Sequence, residues 1–303
     1  MNLTKKIGAT VSALVLGLSL AACGADSEPT TGTDGATEDL GTINLGFVAS
    51  WTDGLSTAYL LDNQLTKMGY TVEMDEIGDA ALIYAALSKG DVDMYPSAWP
   101  EVTHADYMKT YGDKIDDIGT YYDNAQLTWA VPEYMDDVNS IEDLKGMGAE
   151  FGGKVIGIEP GAGLTKASLE NVLPDYELKG EYELVTSSTP AMLAELKKAT
   201  GAEKSIVVTL WQPFWANAAF PVKTLEDPKG ALGGAEGLHF LGKTGFADEY
   251  PDAAKWISEL KLDDAQYGSL EDTVVNQYEE GQEAEAVSAW IEENPDVLPE
   301  IKN

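Results

Sequence analysis

The stretch INLGFVASWTD, residues 43–53, joins an apolar run to a tryptophan, a threonine and an aspartate. Its apolar, partly β-branched and aromatic character predicts a strand from Ile43 to Ser50. Asp53 is a residue type that commonly caps a helix amino terminus, and Gly69 is one that commonly ends a helix. The stretch therefore predicts a strand that leads through a tryptophan-containing loop into a helix.

The same alternation of strand and helix continues along the chain. Further strands are predicted over 70–77, 91–95, 155–159, 182–187 and 206–210, and helices over 80–89, 140–146, 164–173, from 189 onward and within 247–303. Asp79 is predicted to cap the helix over 80–89, and Ser140 with Asp143 resembles a capping box that opens the helix over 140–146. Short strands that alternate with helices indicate a mixed or parallel sheet covered by helices, so we expect an α/β fold. Ligands of such sheets bind beyond the carboxyl ends of the strands, where Trp51 and Trp99 both fall.

The charge of the chain is strongly one-sided. It has 19 basic residues, all of them lysines, against 52 acidic residues, which gives a formal net charge of -33. This excess repels nucleic acids and anionic lipid headgroups, so no nucleic-acid partner is expected. Because the chain lacks arginine, an anionic ligand group must be bound by backbone N–H groups, histidine, lysine or hydroxyls.

The amino terminus predicts export. Two lysines precede an apolar run over 7–22, which is typical of a secretory signal peptide at residues 1–22. The tetrapeptide Leu-Ala-Ala-Cys23 resembles the lipobox of bacterial lipoproteins, in which the cysteine becomes the lipid-modified first residue. Residues 23–42 are small and polar, which indicates a flexible tether. We expect a lipid-anchored protein on the extracytoplasmic face of the cell membrane; the alternative is an ordinary cleaved signal with a leftover thiol.

Three tryptophans, Trp51, Trp99 and Trp211, are set among glycines and prolines in predicted loops. A quaternary ammonium ion has no N–H to donate, but the negative face of an indole attracts it by about 0.5 to 2 kcal/mol. Three converging indoles would form a cage for such an ion. The other tryptophans are assigned to the interior, with Trp256 and Trp290 on apolar helix faces and Trp129 and Trp215 as supporting wall.

Two features could bind a carboxylate at the other end of a ligand. His104 lies five residues after Trp99, and the Gly161-Ala162-Gly163-Leu164 turn places backbone N–H groups at a predicted helix amino terminus. The alternatives are a surface or capping histidine and a plain strand-to-helix turn. His239 is predicted to be a buried strand residue.

Four motifs occur in order: ASWTD at 49–53, SAWPEVTH at 97–104, IEPGAG at 158–163 and VVTLWQPFW at 207–215. The chain from about residue 42 onward resembles the glycine betaine and proline betaine substrate-binding proteins of bacterial ABC importers, which have the type II periplasmic-binding-protein fold. The resemblance implies two lobes, each a mixed sheet flanked by helices, with the ligand in the cleft between them. Leu210 and Phe214 depart from the family pattern, where glycine and histidine are common.

The resemblance also implies roles for individual residues. Trp51, Trp99 and Trp211 would form the ammonium cage, and His104 with the amides of Gly163 and Leu164 would bind the carboxylate. Gly161, Ala162 and Trp215 would support them. Lobe I is expected to comprise residues 43–126 and 222–303, and lobe II residues 127–221.

The expected function is capture of glycine betaine or a related betaine and its delivery to a membrane permease, by a monomer without cofactor or metal. Choline, ectoine or carnitine binding in the same importer class is the first alternative. An enzyme or a lipoprotein scaffold is a more distant one, since metal and nucleophile motifs such as His-Glu-x-x-His and Gly-x-Ser-x-Gly are missing from the sequence.

Overall fold

The computed structural model describes residues 40–301. The predicted signal peptide, the lipid attachment at Cys23 and most of the predicted tether therefore lie outside the described residues. The first strand begins at Thr42, the last residue assigned to the tether.

Nine strands form one mixed sheet within the described residues. They are β1 Thr42–Phe47, β2 Thr71–Glu76, β3 Met94–Ala98, β4 Ile115–Pro132, β5 Lys154–Ile156, β6 Glu183–Val185, β7 Val208–Gln212, β8 Val222–Thr224 and β9 Glu236–Lys243. The strand order is β2-β1-β3-β9-β4-β7-β5-β6, and β8 pairs with β4. β1 runs parallel to β2 and β3, whereas β9 runs antiparallel to β3 and β4.

Helices connect and cover these strands. They are α1 Thr52–Met68, α2 Ala80–Leu87, α3 Ala105–Tyr111, α4 Gly163–Ala167, α5 Leu173–Asp175, α6 Thr189–Gly201, α7 Ala216–Ala219, α8 Phe246–Glu249, α9 Pro251–Glu259, α10 Asp264–Asp272 and α11 Glu283–Glu293. A π-helical turn, Ser168–Val172, joins α4 to α5, so the helix predicted over 164–173 is one continuous segment with a bulge. Over residues 40–301 we find no helix with the length and apolar character needed to cross a bilayer.

The strand β4 belongs to both halves of the sheet. Its residues from Ile115 to Ala125 pair with β9, and its residues from Gln126 to Pro132 pair with β7 and β8. We call β1, β2, β3, β9 and their helices the first half, and β5 to β8 with α4 to α7 the second half. The segment predicted to cross between lobes near Leu127 is thus the carboxyl-terminal part of one continuous strand.

Several local predictions are confirmed. Gly69 ends α1 in a left-handed conformation with φ of 105°, and its N–H bonds the carbonyls of Leu65 and Thr66. Asp79 caps α2 by accepting a hydrogen bond from the N–H of Leu82 at 3.0 Å. A capping box formed by Ser140 and Asp143 opens the predicted short helix, which is a 3-10 turn.

The prediction for Asp53 is wrong in its detail. The capping position of α1 is Trp51, and no side chain caps this helix. The Asp53 carboxylate instead accepts a hydrogen bond from the Ser97 hydroxyl at 2.9 Å. Because Asp53 is buried, its carboxylate needs a hydrogen-bond donor in place of water, and the Ser97 hydroxyl on β3 is one such donor.

The interior assignments are confirmed for residues of the tail and of β9. Trp256 on α9 and Trp290 on α11 are buried, as is His239 on β9. Helices α10 and α11 contact α1, so the tail covers the first half. Trp129 is fully buried in β4, and its Nε1 donates to the Ser168 hydroxyl at 2.9 Å.

Candidate functional site

A small cavity lies between the two halves. The volume of this cavity is ≈ 40 Å³. The cavity is lined by Trp51, Asp53, Trp99, Thr103, His104, Leu127, Ile158, Ala162, Gly163, Leu164 and Trp211. All six predicted ligand-binding residues are in this set, although the sequence separates Trp51 from Trp211 by more than half of the chain. Gly161 and Trp215, predicted as supports, lie outside the lining.

Two of the three indoles are held by carboxylates. The Nε1–H of Trp51, which precedes α1, donates to Glu159 Oε2 at 3.0 Å. The Nε1–H of Trp99, which follows β3, donates to Asp53. Burial raises the pKa of Asp53, and hydrogen bonds from Ser97 and Trp99 act against this rise. Each of these two ring planes is thus fixed by a carboxylate at the N–H edge of the indole.

The third indole is positioned differently. Trp211 lies inside β7, paired with Leu127 of β4, rather than in the loop that the sequence predicts. The strand continues to Gln212 because Pro213, which has no backbone N–H, is the first residue that cannot pair. The Trp211 ring stacks on Phe214 with centroids 3.8 Å apart, and Phe214 in turn contacts Trp215 edge-on. Trp215 therefore supports the Trp211 ring through Phe214.

His104 presents one defined donor. Its Nδ1 accepts a hydrogen bond from the backbone N–H of Trp99 at 3.1 Å, so the proton of the neutral ring is on Nε2. Burial lowers the pKa of His104 to about 3, so the ring is neutral at physiological pH. The Tyr84 hydroxyl also lies 3.3 Å from Nδ1. The ring that lines the cavity is therefore a neutral N–H donor.

The Gly161–Leu164 turn lies against the first half. Helix α4 begins at Gly163, and no side chain caps its first N–H groups. A Cβ on Gly163 would collide with the Thr103 side chain and carbonyl, and one on Gly161 would lie 2.9 Å from Asp79 Cγ. Glycine is required at both positions for this close approach. The backbone N–H groups at the start of α4 thus come close to the His104 segment.

Side chains also join the halves beside the cavity. The Tyr107 hydroxyl donates to the Gly161 carbonyl at 3.1 Å, and Lys166 of α4 pairs with Asp106 of α3. Both partners of the ion pair are about half exposed or more, so we assign it little stability. These contacts describe an arrangement in which the two halves meet.

Several residues of the site are not among those predicted from the sequence. Asp53, Thr103, Leu127 and Ile158 line the cavity, and Glu236 holds the loop that carries Thr103 by accepting from the N–H groups of Val102 and Thr103, each at 2.9 Å. Asp53 and Glu159 both occur within the quoted motifs, which is the signal that could have identified them. Glu236 is far from the loop in sequence and has no comparable signal.

The two histidines give opposite pH dependences of stability. His104 has a folded pKa of about 3 against 6.5 in the unfolded chain, so acid protonates the unfolded state first. Its stabilising contribution is complete above pH 6.5 and falls by about 2 kcal/mol between pH 7 and pH 5. We expect His104→Gln to lack this part of the acid sensitivity when unfolding free energies are measured in urea across this range.

His239 is the matched control. Burial opposes its charged form, but hydrogen bonds to Asp117 at 2.8 Å and to Glu101 at 3.3 Å outweigh burial and raise its pKa. Its contribution is therefore present below pH 6.5 and is lost as pH rises through the folded pKa. If His104→Gln and His239→Gln changed the pH dependence of the unfolding free energy in the same direction, this assignment of charge states would be wrong.

The strand order and the shared cavity define a class of protein. An α/β sheet whose two halves meet around a small-molecule cavity, joined through one long strand, is the two-lobed periplasmic-binding-protein fold, as predicted. A family model described as the substrate binding domain of ABC-type glycine betaine transport systems matches residues 41–293. The chain therefore belongs to this family, which is a family of transport components rather than a class of enzymes.

Individual relatives agree with this assignment. The glycine betaine, L-proline ABC transporter binding protein ProX of Borrelia burgdorferi superposes with a TM-score of 0.79 at 31% identity, covering 86% of this chain and 97% of that one. Lactococcal OpuAC, in a closed form with glycine betaine, superposes with a TM-score of 0.77 at 29% identity over 84% and 96%. The glycine betaine/carnitine transport binding protein GbuC of Listeria monocytogenes is 35% identical over 156 residues, which is 50% of each chain. The match thus spans half the length of that curated relative.

Proposed function

We propose that the protein captures glycine betaine or a related betaine outside the cytoplasm and delivers it to an ABC permease. The observation that carries the proposal is the convergence of Trp51, Trp99 and Trp211 with His104 and the Gly163–Leu164 amides on one cavity. A betaine has a fixed positive charge at one end and a carboxylate at the other. The cavity offers a complementary group for each.

The ammonium end of the ligand would contact the indole faces. Methyl groups on the nitrogen prevent hydrogen bonding, so the attraction comes from the ring quadrupoles and from burial of the methyl surface. The carboxylates of Asp53 and Glu159 accept the N–H groups of Trp99 and Trp51 and thereby place negative charge at the edges of two rings that line the cavity. This arrangement favours a cation over a neutral alkyl group of the same size.

The carboxylate end would be bound without a cationic side chain. His104 is a neutral donor through Nε2, and the N–H groups of Gly163 and Leu164 lie at a helix amino terminus, where the backbone dipoles favour an anion. Charge-assisted bonds of this kind contribute about 1.5 to 3 kcal/mol each. A binding site that lacks arginine can thus hold a carboxylate.

Delivery requires that the ligand change the shape of the protein. Trp51, Trp99 and His104 come from the first half and Trp211 with the glycine turn from the second, so a bound betaine would bridge the two and favour the closed state. For the lobes we propose residues 43–126 and 222–303 as lobe I and 127–221 as lobe II, with the exception of β8, Val222–Thr224, which pairs with the part of β4 in the second half. A lipid on Cys23 would keep the monomer beside its permease, and uptake would serve osmoprotection or nutrition.

Choline is the second candidate because of Asp53. Choline shares the ammonium group but lacks the carboxylate, so its positive charge needs compensation by the protein. The buried Asp53 carboxylate lines the cavity and could supply it. The donors of His104 and the glycine turn would then have no charged partner, which makes a betaine the better match.

Calorimetric titration with six solutes tests the proposal: glycine betaine, proline betaine, carnitine, choline, ectoine and a neutral amino acid. We expect glycine betaine or proline betaine to bind at micromolar Kd or tighter and choline at least tenfold more weakly, a difference of about 1.4 kcal/mol. Equal or tighter choline binding would reassign the site to choline. Binding of none of the six would remove the proposed function.

A further inference from the structure

The side chain of Glu159 accepts four hydrogen bonds. Its Oε1 accepts from the Ser50 hydroxyl at 3.0 Å and from the backbone N–H of Thr189 at 2.9 Å. Its Oε2 accepts from Nε1 of Trp51 at 3.0 Å and from the Thr189 hydroxyl at 2.9 Å. Each oxygen therefore takes one bond from the first half of the molecule and one from the second.

One pair of bonds lies within the second half, and the other pair joins the two halves. Glu159 follows β5 and Thr189 begins α6, so both belong to the second half, and their bonds orient the carboxylate within that half. Ser50 and Trp51 lie between β1 and α1 in the first half. Their bonds to Glu159 therefore join the two halves, whereas the bonds from Thr189 lie within the second half.

The backbone of Glu159 acts at the other end of the site. Its carbonyl accepts from the N–H of Ala162 at 3.1 Å and from the hydroxyl of Thr165 at 2.8 Å. These bonds shape the turn that places Gly163 and Leu164 at the cavity. One residue thus contacts both the segment that carries a cage tryptophan and the segment that presents the amides.

We propose that Glu159 is a positioning residue that fixes the Trp51 ring only when the two halves close, so that the tryptophan cage is completed by closure itself. The inference rests on the proposed function for the identity of the ligand. Without the bond to Glu159, the half-buried Trp51 side chain lacks the contact that fixes its ring plane toward the cavity. High affinity for an ammonium ion would then exist only in the closed state.

Glu159→Gln is the sharpest test because it keeps the size of the side chain. Hydroxyls can rotate, but the N–H groups of Trp51 and Thr189 cannot, and they point at different oxygens. A carboxamide has one oxygen and one NH₂ group, so in either orientation it sets a donor against one of these N–H groups. We expect the Kd for glycine betaine to rise about tenfold in calorimetry.

A double-variant cycle separates this role from general structural support. Trp51→Phe keeps a ring but has no N–H, so Glu159→Gln should weaken binding much less in this background than in the wild type. Glu195→Gln is the matched control, because Glu195 lies on α6 of the same half and its carboxylate has Lys198 as its only hydrogen-bond or ion-pair partner within the described residues. It should leave the Kd unchanged. Equal losses from Glu159→Gln in the wild type and in Trp51→Phe would overturn the inference.

Solution scattering of the ligand-free proteins gives a readout that does not depend on the ligand. Glu159→Gln either opposes the Trp51 N–H directly or loses the Thr189 bond that orients the side chain, and both weaken the contact between the halves, so we expect its radius of gyration to exceed that of the wild type and of Glu195→Gln. If Glu159→Gln fails to fold, Ser50→Ala removes a bond from the same carboxylate and should shift the scattering in the same direction. Betaine binding that Glu159→Gln leaves unaffected would sink this inference alone, whereas a wild type that binds no betaine would sink the proposed function.

Discussion

Trp99→Ala should weaken glycine betaine binding at least tenfold, a loss of about 1.4 kcal/mol or more. The substitution removes one indole face from the cavity, and it also removes the N–H that Asp53 accepts. The backbone N–H that holds His104 remains, so the donor for the carboxylate end of the ligand keeps its position. Calorimetry with glycine betaine measures the loss directly.

Trp211→Ala should also weaken binding, but less than Trp99→Ala. Phe214 stacks behind Trp211, so a second aromatic face remains one ring thickness further from the ligand. Phenylalanine at either position should be milder than alanine because a ring face survives. Equal Kd values for the wild type and both alanine variants would show that these rings do not bind the ammonium group.

Trp256→Ala should act on stability rather than on binding. Its ring is buried beneath α9, and its Nε1 donates to the Pro299 carbonyl at 2.9 Å, which ties the end of the chain to that helix. We expect the free energy of unfolding to fall by about 3 to 5 kcal/mol, the usual cost of deleting a buried aromatic side chain. Urea denaturation monitored by circular dichroism measures this change.

The control for Trp256→Ala is Leu82→Ala. Leu82 is 57% exposed on α2, so its loss should change the unfolding free energy by less than about 0.5 kcal/mol. The folded fraction of Trp256→Ala should bind glycine betaine with the Kd of the wild type. A tenfold weaker Kd together with unchanged stability would place Trp256 in the binding site and contradict its assignment to the core.

The parts of the fold that sequence could predict are those encoded locally. Asp79 before its helix, Gly69 after its helix and the Ser140–Asp143 pair act over a few residues, and the structure forms all three. The length of β4 was not predictable in this way. It is continuous because Gln126 to Pro132 pair with strands that follow about 80 residues later, and no short window of sequence contains both partners.

The candidate site also contains residues that the sequence predicts and residues that it does not. Tryptophans beside strand ends, together with the family resemblance, were enough to choose Trp51, Trp99, Trp211 and His104. The carboxylates that hold them were not recognised, because their partners are distant in sequence: Glu159 and Trp51 are separated by 108 positions. The sequence predicts Asp53 as a helix cap because that local role is common, whereas its hydrogen-bond partner in the structure, Ser97, lies on β3.

The hydrogen bonds inside the Trp99–His104 loop have a consequence for substrate choice. The backbone N–H of Trp99 donates to the His104 imidazole, and the backbone N–H of His104 donates to the Trp99 carbonyl at 2.8 Å, so the residues that carry the indole and the imidazole are tied together in one loop. Under the proposed function, this loop fixes the distance between the indole that contacts the ammonium group and the imidazole that contacts the carboxylate. Solutes with a longer carbon spacer between the same two charged groups should therefore bind more weakly.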